Sequence, residues 1–67
     1  MEKIIRTSDK IKEMQKSNRI WVCLDTARSV AEKLNFQFVT NEFTVVKVVE
    51  QKTGCEYGYT VVSAATM

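Results

Sequence analysis

The sequence predicts a small α+β domain: a single antiparallel or mixed sheet (strand, helix, C-terminal β-hairpin) with a short N-terminal helix and the helices on one face. Three observations predict it. Phe43–Ser63, FTVVKVVEQKTGCEYGYTVVS, holds two runs rich in valine, tyrosine and threonine around a turn that contains glycine. β-Branched and aromatic residues suit a pleated, half-buried surface, so the stretch reads as a hairpin. Ala27, Val30, Ala31 and Leu34 stand at i, i+3, i+4 and i+7, the apolar stripe of one helix. The chain has 67 residues with neither linker nor repeat, so residues 1–67 make a single domain.

The N-terminal segment, residues 1–18, is ambiguous. Ser8 is placed to cap a short helix through Lys16, with Ile11 and Met14 on its inner side. Ile4 either extends that helix backwards or belongs to an edge strand over Lys3–Thr7. Ser17-Asn18 reads as a turn. Arg19–Leu24 alternates as a strand, with Ile20, Val22 and Leu24 on one face and Trp21 and Cys23 on the other. Apolar residues on both faces suit a covered strand. Trp21 reads as a core or core-edge anchor because of its large area. Asp25–Leu34 is the helix of the apolar stripe, with Asp25 as N-cap at the positive end of the helix dipole. Asn35 is a candidate left-handed stop. Phe36–Thr40 is either a short strand or an extended linker that drops Phe36 and Phe38 into the core.

In the hairpin, Lys52-Thr53-Gly54 fits a three-residue loop ending on glycine, where positive φ is required. That turn pairs Gln51 with Cys55, Val49 with Tyr57, Lys47 with Tyr59 and Val45 with Val61. One face then carries Phe43, Val45, Lys47, Val49, Tyr57, Tyr59 and Val61. The other carries Thr44, Val46, Val48, Glu50, Glu56, Gly58, Thr60 and Val62. The first face is bulkier and is expected to be the core face. The second leaves a smooth apolar strip, Thr44, Val46, Val48 and Val62, as the candidate surface for a protein partner or for a second copy in a homodimer.

A chain this short buries only about 60% of the surface its unfolded form exposes. Its core alone rarely supplies more than ~3–5 kcal/mol. Histidine is absent, and Cys23 and Cys55 are the only cysteines. Two thiolates do not complete a zinc site. The pair reads as reduced thiols rather than a disulfide. Association with a partner or a second copy is therefore the expected supplement to stability. Charges interrupt the N-terminus where a signal peptide has its apolar region. The longest uncharged apolar run, Ile20–Leu24, is too short to span a bilayer. A cytoplasmic protein with no membrane contact is expected.

Little in the sequence supports catalysis. Without histidine the commonest general acid–base is missing, as is the second member of Ser/His and Cys/His pairs. Gly54 and Gly58 are the only glycines, so no phosphate-cradling loop exists and no cofactor is expected. Glu50 and Glu56 would face each other near the turn, where mild repulsion is expected instead of acid–base work. The charge is uneven: residues 1–19 hold six cations against three acids, and the remaining residues carry a net −1. Lys10, Lys12, Lys16 and Arg19 are candidate phosphate contacts for a nucleic acid. Lysines on the wet side of a helix are the plainer reading of the same residues.

The order LDTARSVAEKL followed by FTVVKVVEQKTGCEYGYTVV covers about two-thirds of the chain. In element order it resembles a group of very small phage-encoded proteins that includes anti-CRISPR and other host-takeover inhibitors. These have one helix after a first strand, and a terminal hairpin. The resemblance implies a non-enzymatic protein, acting in the host cytoplasm, that blocks a larger host protein by occupying its surface. It carries over no residue's role. The leading expectation is thus a protein-binding inhibitor or regulator docking through the sheet strip or the sheet edge. The second is a small nucleic-acid-binding regulator using the basic N-terminal segment.

Overall fold

The computed structural model describes residues 2–64. Five elements follow one another: β1 (Lys3–Arg6), α1 (Ser8–Lys16), α2 (Leu24–Gln37), β2 (Phe43–Glu50) and β3 (Glu56–Ser63). The strands form one mixed sheet in the order β1-β2-β3, with β1 parallel and β3 antiparallel to the central β2. The class is the expected one, a small α+β domain with a short N-terminal helix. Of the two readings of residues 3–7, the edge strand is the one observed.

The pairing of β1 decides which hairpin face is the core. Ile4 lies opposite Val48, on the face that also carries Val46. A single residue, Thr7, separates β1 from α1. Its side chain accepts from the Lys10 N–H, so Thr7 caps α1 in place of the expected Ser8. So tight a link folds α1 straight back over the Ile4 face. Ile11 of α1 then joins Ile4, Val46 and Val48 in the core, with Met14, Ile20 and Val62 packed against it. Ile11, Val46 and Val48 are fully buried side chains, each worth about 1.5–3 kcal/mol of hydrophobic transfer. This overturns the expected choice of core face. Val45, Lys47, Val49, Tyr59 and Val61 of the bulkier face are only half-buried, and Tyr57 is exposed. Bulk misled because the strand that closes the core pairs through β2's other side-chain set.

The two helices do not share a face. α2 approaches β2 and β3 through the buried Ala27 and Ala31, whose short side chains permit close contact. No α2 residue joins the core under α1. Val30 and Leu34 instead border a groove with Trp21, Phe43 and Val61, which belong to the opposite face. Trp21 exchanges both backbone hydrogen bonds with Tyr59 at 2.8 Å, on the free side of β3. The chain thus crosses from β1 to the far edge over one face and returns to β2 over the other. The two parallel connections therefore share one hand.

Several boundaries moved. The expected strand Arg19–Leu24 shrinks to the single bridge at Trp21. α2 starts with Cys23 as N-cap and Asp25 in its first turn, and it runs on to Gln37, past the expected stop at Asn35. Phe36 is therefore helical, and neither Phe36 nor Phe38 enters the core.

The strands of the hairpin fall where expected, and Lys47 and Val45 meet Tyr59 and Val61 as predicted. Gly54 takes φ 71°. The turn itself differs. A bulge makes Val48 face Gly58 and Val49 face Glu56, so Tyr57 is the extra residue. Glu50 and Glu56 consequently point to different faces. Glu56 pairs with Lys47 at 3.3 Å. Glu50 is buried, and its Oε2 accepts from the Thr53 N–H at 2.6 Å and the Thr53 hydroxyl at 2.9 Å. These bonds hold the Glu50 carboxyl below its ordinary value of 4.5. A depressed carboxylate stabilises the fold above its unfolded pKa, and that contribution is lost as pH falls through the folded value. The urea midpoint is expected to drop on acidification below about pH 5. Glu50→Gln, which removes the titrating group, is expected to lessen that drop, and an equally steep drop in Glu50→Gln would assign it to other groups.

Candidate functional site

The structure removes the sheet strip as a working surface. Val46 and Val48 are 0% exposed, Val62 is half-buried, and only Thr44 is open to solvent. The four basic residues also fail to form one patch. Lys12 and Lys16 stand one turn apart on the outer side of α1, where Asp9 and Glu13 share the surface. Lys10 lies on the flank, 3.7 Å from Glu13, and both border a hollow with Arg19. Carboxylates therefore interleave the cations, which weakens any field along α1.

The structure shows instead an apolar tip that sequence reasoning missed. Phe36 is 87% exposed, Phe38 60% and Val39 91%. All three belong to the last turn of α2 and its cap. That cap is built like the end of α1. At both ends a residue at positive φ turns the chain, and two backbone bonds reach back into the helix. In α1 these run from Arg19 N–H to Met14 O and from Asn18 N–H to Gln15 O. In α2 they run from Thr40 N–H to Asn35 O and from Val39 N–H to Phe36 O. The turning residue is Asn18 at φ 54° in the first case and Val39 at φ 51° in the second. Glycine or asparagine is the usual occupant of this position. A β-branched residue there costs roughly 1–2 kcal/mol, so the tip stores strain at its most exposed side chain.

The base of the tip is tied to the sheet. The Asn35 side chain accepts from Phe43 N–H at 2.9 Å and donates to Phe43 O at 3.0 Å. It stands where a neighbouring strand would stand and locks the end of α2 to the start of β2. Phe38 packs on Phe43 with ring centroids 5.8 Å apart. A shallow hollow of about 560 Å³ lies beside Phe36 and Val39, rimmed by Asn35, Thr40 and Asn41. One sequence signal was available: Phe36 and Val39 follow the stripe of α2 without joining its period, whereas Phe38, four residues after Leu34, continues it.

At the other end, Cys23 and Cys55 are free and exposed. Backbone hydrogen bonds from Thr26 and Asp25, then the Thr26 hydroxyl, hold the Cys23 thiol below the usual thiol range. Among the described residues no helix is long and apolar enough to cross a membrane, and no group of three or more acidic, cysteine or histidine residues is placed to hold a metal. Comparison with protein-family models, with curated proteins and with solved structures finds no match for the chain.

Proposed function

We propose that the protein is a non-enzymatic binding module that docks its Phe36–Val39 tip into a concave apolar pocket of a larger protein. One observation carries the reading: Phe36 and Val39 stand exposed at one hollow, Phe38 is exposed on the same cap, and Val39 is held at a strained φ. Exposed patches of this kind mark interaction surfaces. The tip offers roughly 400 Å² of apolar surface, taking ~200 Å² per fully exposed phenylalanine. A standard interface takes about 800 Å² from each partner. Two tips meeting head to head fall short of that, whereas a pocket closing around the knob engages its flanks as well. A partner protein is thus favoured over a homodimer. This role suits a small phage-type inhibitor or regulator that occupies a host protein's surface in the host cytoplasm.

Capture from a bacterial lysate by wild type and two variants tests the proposal. Phe36→Ser is expected to lose about 2 kcal/mol or more of binding, the scale of an aromatic hot spot, with unchanged folding. Val39→Gly is expected to gain roughly 1 kcal/mol of stability by relieving φ while weakening capture. Capture that is equal for wild type, Phe36→Ser and Val39→Gly would remove the tip from consideration.

A further inference from the structure

The two edges of the sheet are guarded differently. On β1, Glu2 and Arg6 direct their carbonyls to β2, so Ile5 directs its own outward. That carbonyl accepts from the Arg6 guanidinium at 2.9 Å, which obstructs an incoming strand. On β3, Tyr59 is satisfied by Trp21. Val61, two residues further on, presents its N–H and C=O in the same direction. The Trp21 bridge is isolated, and no strand of the described residues lies beside Val61.

A groove of about 500 Å³ takes in this open edge. Met14 of α1 borders it on one side and Val30 and Leu34 of α2 on the other, with Trp21 at its head. Its charged lining is entirely basic: Arg6, Lys10 and Arg19, with no carboxylate. Lys10 already meets Glu13, and the Arg6 guanidinium is engaged at Ile5. Of the three groove cations, Arg19 alone has its side chain in neither an ion pair nor a hydrogen bond among the described residues, and it lies in the segment that ends at the Trp21 bridge.

We infer that this groove takes an extended segment of another protein, apolar at alternate residues and carrying a carboxylate, which adds to β3 at Val61 as a further strand. The unpaired backbone of Val61 requires a partner with its own backbone extended, and main-chain bonds supply affinity in this mode. Alternate side chains of such a strand turn towards Met14 on one wall and Leu34 on the other. A carboxylate meets Arg19 in a charge-assisted bond. The site is separate from the Phe36–Val39 tip, and the two can fail independently.

Displayed random heptapeptides, selected on the immobilised protein and on Arg19→Glu, test the inference. The wild type is expected to enrich extended sequences that alternate apolar residues and hold an acidic one. The best of these is expected to bind Arg19→Glu at least tenfold more weakly and Phe36→Ser equally well. It is also expected to shift the emission of Trp21, the only tryptophan, and to slow amide exchange at Val61 at least tenfold. No enrichment, or enrichment of basic or proline-rich peptides, would overturn it. So would a selected peptide that leaves Val61 exchange unchanged or depends on Phe36.

Discussion

Lysine at position 46 is expected to unfold the protein. Val46 is 0% exposed, in the central strand, against Ile11 of α1 and beside Val48. A lysine there loses the packing of the valine and puts an ammonium group where no carboxylate pairs with it. Burying an unpaired charge costs several kcal/mol, and the largest single-residue effects come from this cause. A domain of this size holds only ~3–5 kcal/mol from its core, so Val46→Lys is expected to lose its cooperative urea transition. Thr44→Lys, two residues away on the same face but exposed, is expected to stay within about 0.5 kcal/mol of wild type. A folded Val46→Lys with an unchanged midpoint would mean that α1 does not cover this face.

Gly58→Ala is expected to be the second most damaging change, at about 2–4 kcal/mol. Gly58 takes φ 130°, a region that L side chains rarely adopt. An added Cβ would also lie 2.6 Å from the Trp21 carbonyl oxygen and 3.1 Å from Ile20 Cγ2. The first obstacle is backbone, so it cannot rotate away. Relief requires moving the Trp21 segment off β3, which breaks the two bonds to Tyr59 and lifts Ile20 from the core. Trp21 fluorescence during urea unfolding reads both consequences. A Gly58→Ala protein with wild-type stability and native Trp21 emission would mean that the bridge contributes little.

How much of this was legible in the sequence follows from which interactions are local. The hairpin and the alanine-rich stripe were readable because β-propensity and helical period act within a few residues. The core face was not, because it depends on Ile4 finding Val48 forty-four residues away in parallel register. The bulge at Tyr57 escaped for a related reason. Glu50 reaches forward to Thr53, which enlarges the turn beyond the three residues that Gly54 alone suggests. Asn35 looked like a helix stop, since asparagine tolerates left-handed φ. Its side chain instead clamps Phe43, and the turn falls to Val39, which no propensity favours there. The tip is thus least visible where local preference is violated, and such violations are expected at functional positions.

The most direct test of the tip as the docking surface is site-specific photocrosslinking in a bacterial lysate. A photoreactive phenylalanine analogue is placed at Phe36 in one protein and at Thr44 in another. One discrete crosslinked protein is expected from position 36, abolished by Val39→Asp, and none from position 44. A discrete product from position 44 with none from position 36 would contradict it, and the docking surface would then lie on the sheet.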